Sequence, residues 1–162
     1  MDSTLTSLLD ARAGALGRDL ATALFAHDAP HYREMPAEEV RARCDRLVAA
    51  FLEAVRGGGP EPFVRHLRGI VEQRVAEGFL LREVQQALSL LEAAVWPLAE
   101  GAGGDTATVV RRLAVVTGIV GQGKDELARA FLDQLERCGA RASSLQRRLD
   151  ELFRGTEPTP QG

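Results

Sequence analysis

The stretch from Gly118 to Lys124 reads G-x-x-x-x-G-K. In a phosphate-binding loop this spacing lets backbone N–H groups cradle phosphates while the lysine reaches them. A Ser or Thr in the next position then holds Mg²⁺. Here the next residue is Asp125, whose charge would oppose the phosphates. Such a loop also joins a buried strand to a helix. The only strand-like run is "LAVVT", Leu113 to Thr117, and no later strand ends in an Asp that could hold the metal. The motif is therefore not read as a nucleotide site. Ala114, Gly118 and Gly121 recur at helical spacing and make a small-residue face that another helix can approach closely. Glycine costs a helix about 1 kcal/mol relative to alanine. The expectation is a kinked or weakened helix at Gly121 to Gly123, with Asp125 as N-cap where a break restarts it; a continuous helix stays open.

Other reactive types are scattered. His27 and His31 are four apart, but Pro30 breaks the helical face between them, so they are read as solvated connector residues rather than metal ligands. Ser143 and Ser144 lack the G-x-S-x-G setting of a nucleophile. Cys44 lies on an apolar stripe and reads as an inert core thiol. No catalytic residue, metal or cofactor is assigned, and the chain is not read as an enzyme. Arg74 continues the apolar series Phe63, Leu67, Ile70, so it should be partly buried and need a partner, a carboxylate or the hydroxyl of Tyr32. Trp96, beside Pro97, is expected to plug one end of the helical assembly.

Helical periodicity positions these residues. The first segment, Asp2 to about His27, carries Leu5, Leu9, Leu16, Leu20 and Leu24 on one face. A second opens at Pro36 with the stripe Val40, Cys44, Leu47, Phe51, Val55. A third begins near Pro62 and ends at Gly78. A fourth carries Leu81, Val84, Leu88, Leu91, Val95 and Leu98. A fifth starts behind Asp105 as N-cap, with Val110, Leu113, Thr117, Val120, Leu127, Phe131 and Leu135 at helical spacing. A charged last piece, about Ala140 to Phe153, has a narrow seam of Leu145, Leu149 and Leu152 that suits a coiled-coil contact. The reading is an all-α bundle of five or six helices over 1–137, a linker-like amphipathic helix over 138–154 and a disordered tail over 155–162.

The 162 residues carry a net charge of -3, and the arginines of the last helix alternate with acids, which argues against nucleic acid. The apolar runs are too short to span a bilayer, and two cysteines without a secretory leader fit a cytoplasmic protein.

Together, "HYREMPAEEVRARCDRLVAAFLEAVRGG" and "PFVRHLRGIVEQRVAEGFLLREVQQALSLLEAAVW" resemble the RsbRD-type N-terminal sensor domains of stressosome co-antagonist proteins and some histidine kinases. Tyr32, Phe63, the R-x-x-x-G-F of Arg74 to Phe79 and the leucine stripe that follows carry the resemblance, which covers Leu5 to Leu135. It implies a globin-like or related bundle without haem, often dimeric, that serves as an input domain for a STAS or kinase partner. Neither domain follows Phe153 in this sequence, so the expectation is either a stand-alone member that acts by binding or one whose output partner is encoded by another gene. Tyr32, Arg74, Phe79, Trp96, Gly118 and Gly121 are taken as ligand or switch positions. Leu145, Leu149 and Leu152 are taken as interface residues in a homodimer formed by the first and last helices. In this reading a ligand or partner biases helix packing at the glycine cluster, and the last helix transmits the shift. The alternative is a small-molecule or haem carrier.

Overall fold

The computed structural model describes residues 3–154, with side chains through 150, and all its regular elements are helices: α1 (Ser3–Ala26), α2 (Pro30–Glu34), α3 (Ala37–Gly57), α4 (Glu61–Ala76), α5 (Leu81–Gly101) and α6 (Thr106–Arg154). Among the described residues there is no strand, and no helix is long and apolar enough to cross a membrane. The tail expected beyond 154 lies outside the described residues, as does the side chain of Leu152.

The five long helices close a ring. Helix α1 packs on α3, α3 on α4, α4 on α6, α6 on α5, and α5 back on α1. The expected stripes fill its centre: Leu9 and Leu24 of α1, Phe51 of α3, Phe63 and Leu67 of α4, and Leu88 and Leu91 of α5 are fully buried. Phe51 and Phe63 meet edge to face, with ring centroids 5.8 Å apart.

Local chemistry sets the ends. Glu38 and Glu39 sit in the first turn of α3, where a negative charge favours the dipole. The helix stops where Gly58 turns left-handed at φ 70° and the N–H groups of Gly58 and Gly59 reach Val55 and Ala54 carbonyls. Asp105 caps α6 as expected, its Oδ1 accepting from the Thr108 N–H at 2.9 Å.

Four expectations are corrected. The fifth helix and the last piece are one uninterrupted helix of 49 residues, with no kink at Gly121 to Gly123. Gly118 and Gly121 do not receive a neighbour, since nothing lies within 4 Å of where a Cβ would stand. Gly123 does: a Cβ there would come 2.6 Å from the Phe63 ring and 2.9 Å from Leu67. The face of α6 that meets the core is Val116, Ile119, Val120, Gly123, Leu127 and Phe131, whereas Val110, Thr117 and Leu135 are exposed. Packing against α4 and α5 holds this helix straight through its glycines. Trp96 plugs nothing: it is exposed on the outside of α5, beside Ser89, Glu92 and Pro97.

Beyond Gln134 the pattern changes. From Leu135 to Asp150 every described side chain is exposed except half-buried Ser144. The distal part of α6 stands clear of the ring.

Candidate functional site

The R-x-x-x-G-F motif is the C-terminus of α4. Gly78 adopts φ 83°, its N–H donates to the Val75 carbonyl at 3.1 Å, and the Phe79 N–H donates to the Arg74 carbonyl at 2.9 Å. This is a Schellman ending, which usually seals itself with an apolar contact between the residues at the positions of Arg74 and Phe79. Here a cation–π contact replaces it. The Arg74 guanidinium lies 5.4 Å from the Phe79 ring centre and that of Arg43 5.8 Å from it. Tyr32 meets the same ring edge to face at 4.9 Å, and His31 lies 5.0 Å from it. The motif thus gathers two arginines and two aromatic neighbours around one phenyl ring.

Two carboxylates balance this cluster. Glu77 accepts from Arg43 Nη1 and Nη2 at 2.7 and 2.8 Å, from Arg74 Nη1 at 3.2 Å and from Gln73 at 2.7 Å. The Arg43 hydrogen bond first, against the cost of burial, brings its carboxyl down to about 2. A depressed folded pKa gives stability that is present above the unfolded value of about 4.5 and lost as pH falls toward about 2. At a side chain 30 % exposed, solvent screening reduces the contribution to about 1–2 kcal/mol. The urea midpoint of the protein should therefore fall between pH 4.5 and pH 2. In Glu77→Gln this segment of the fall should be absent, with a lower midpoint at neutral pH.

Glu83 is the second. It is 1 % exposed and takes the Leu80 N–H at 2.9 Å, the His31 N–H at 3.0 Å and the His31 Nδ1 at 2.7 Å. Burial pushes its carboxyl up, but the Leu80 and His31 hydrogen bonds outweigh it and leave the group below the usual value. Glu83 ties α2 to the start of α5.

Between α1, α2, α3, α4 and α5 lies a cavity of about 60 Å³. Tyr32, Arg43, Cys44, Arg46, His66 and Arg74 supply its polar wall, and leucines such as Leu24, Leu67 and Leu88 supply much of the rest. Arg74 is 4 % exposed, and its Nε–H has no hydrogen-bond acceptor among the described residues. Burial is the main reason its pKa drops below the ordinary arginine value.

Tyr32, Arg74 and Phe79 therefore come together, though the Arg74 partner is Glu77 and no hydrogen bond joins it to Tyr32. Trp96, Gly118 and Gly121 lie elsewhere, on outer faces of α5 and α6. Leu145 and Leu149 are on the free part of α6. His31, read as solvated, is instead half-buried and paired. Arg43, Glu77 and Glu83 were not anticipated. A legible signal existed for Glu83, which stands three residues after Leu80 at a helix start, where a carboxylate reaches back to the first N–H. The G-x-x-x-x-G-K stretch is wholly helical, and its Lys124 binds Glu92 at 3.0 Å. Among the described residues no three His, Cys, Asp or Glu side chains converge as metal ligands would.

No curated protein and no solved structure matches the chain. A family model does, the RsbT co-antagonist protein rsbRD N-terminal domain, over residues 14–150.

Proposed function

The chain belongs to the family of the RsbT co-antagonist protein rsbRD N-terminal domain, a stress-signalling regulatory domain, and from that premise we propose that it is a cytoplasmic, non-enzymatic sensory module that acts by protein–protein interaction. The observation that carries this reading is the free end of α6. Leu135, Cys138, Ala142, Leu145 and Leu149 follow one another at spacings of about three and four, the pattern of a coiled-coil seam, and all are exposed. The seam continues the core face through Phe131, so a shift in the ring would carry into it. A second copy of the chain covers the seam in a parallel homodimer, and the output partner, of STAS or kinase type, reads the pair. Helix α1 has no exposed large apolar side chain among the described residues, so the pairing is assigned to α6 alone.

Sedimentation equilibrium tests this. The full chain should be a dimer at micromolar concentration. Leu145→Glu with Leu149→Glu should weaken the dimer at least about a hundredfold, or about 3 kcal/mol. The stability of the ring should not change, because these side chains are already 60 % and 48 % exposed. A monomeric wild type, or a dimer indifferent to both substitutions, would overturn the assignment.

The reading as a small-ligand sensor draws on the cavity beside Arg74. A haem carrier does not, because about 60 Å³ is far too little for a porphyrin.

A further inference from the structure

We propose that the cavity between α1, α2, α3, α4 and α5 is a binding site for a short-chain monocarboxylate, an anion of about four or five heavy atoms with its carboxylate at Arg74 and its alkyl end among leucines. Occupancy stands on the cavity alone. Only its use as a signal rests on the regulatory reading above.

The first argument is an unmet hydrogen bond. A buried guanidinium N–H without an acceptor destabilises a folded protein, and native structures rarely keep one. The Arg74 Nε–H is such a donor, on a residue 4 % exposed that lines the cavity. Glu77 engages Nη1 only, from outside the cavity, and its stronger bonds go to Arg43.

Charge is the second. The cavity wall holds Arg43, Arg46 and Arg74 and not one carboxylate. Glu39 and Glu77 match Arg43 and in part Arg74, while exposed Arg46 has no ion pair among the described residues. The other titratable groups on the wall are neutral at pH 7. Burial raises Tyr32 and Cys44 each to about 12, and burial, with Arg46 and Arg74, lowers His66. What the wall offers is therefore donors: guanidinium, phenol, imidazole and the Gln73 amide.

Size and access complete the case. One water needs about 10–15 Å³, so a space of about 60 Å³ admits about four or five heavy atoms. Leu24, Leu47, Leu67, Val84 and Leu88 give the space an apolar lining that an inorganic oxyanion would not use. Arg46 and His66 also line an open recess on the outer surface of α3 and α4, together with Arg65 and Glu53. Arg46 and His66 border both spaces, which makes them the place where a ligand would enter.

Isothermal titration calorimetry of the full chain with sodium propionate, at constant ionic strength, tests the proposal. Saturable binding of one propionate per chain is expected, with a rise in thermal midpoint. Propionamide, the neutral isostere, should not bind. Arg74→Met should weaken binding at least about tenfold, the loss of a charged hydrogen bond. If that variant fails to fold, Tyr32→Phe, which removes one hydroxyl, should fold and bind several-fold more weakly. No saturable heat at millimolar propionate, or equal binding of propionamide, overturns the anion site. Tighter binding of phosphate or chloride than of propionate overturns the carboxylate assignment. A chain that binds propionate yet sediments as a monomer would leave this site intact and fail only the interaction reading.

Discussion

Gly123→Ala will destabilise the bundle by about 1–3 kcal/mol, whereas Gly118→Ala and Gly121→Ala will each stabilise the chain by up to about 1 kcal/mol. The same substitution in the same helix takes opposite signs because the three glycines face different things. At Gly118 and Gly121 a methyl group meets open space, so only the gain in helix propensity remains. At Gly123 the methyl carbon would come 2.6 Å from Phe63 Cε1 and 2.8 Å from its Cδ1. The ring cannot step aside, since Phe63 is fully buried against Phe51, and Leu67, 2.9 Å from the same methyl, is buried as well. Overpacking then exceeds the propensity gain. Urea denaturation of the three single variants checks all three signs. A neutral or stabilising Gly123→Ala would mean that α4 and α6 approach less closely than described.

Glu83→Ala will cost about 3 kcal/mol at neutral pH, and Glu83→Gln clearly less. The carboxylate satisfies the Leu80 N–H, the His31 N–H and the His31 ring. Alanine strands these donors around a side chain position that excludes water. Glutamine keeps an acceptor for one backbone N–H but loses the charge that faces His31. Because Glu83 titrates below its ordinary value in the folded chain, the wild-type advantage over Glu83→Gln should be full above about pH 4.5 and shrink as pH falls. Urea midpoints of the three proteins across that range measure it. A constant gap would show that the charge of Glu83 adds nothing.

The helices and their order were legible because each buried stripe repeats at helical spacing, as with Leu5 to Leu24 in α1 and Val40 to Val55 in α3. The continuity of α6 was not. Helix propensity counts each glycine as a local cost, and only the packing of Gly123 on Phe63 and Leu67 shows why one glycine strengthens the assembly. Of the site, the burial of Arg74 could be read from its place in an apolar series. Its partner could not, because the Glu77 that binds it also serves Arg43, from a different helix. His31 misled for a similar reason: its polar connector hides a contact made 52 residues away. The cavity is a gap between five elements and has no sequence signature.

The uninterrupted α6 has a mechanical meaning. At 1.5 Å per residue its 49 residues measure about 73 Å, and the part beyond Gln134 about 30 Å. It has the geometry of a lever whose fulcrum lies at Gln134, its last buried residue among those described. A tilt of about 5° at that fulcrum would displace the far end by about 2.5 Å, half a helical turn's rise. Motion too slight to disturb the core at its root would thus arrive at the tip large enough for another molecule to distinguish.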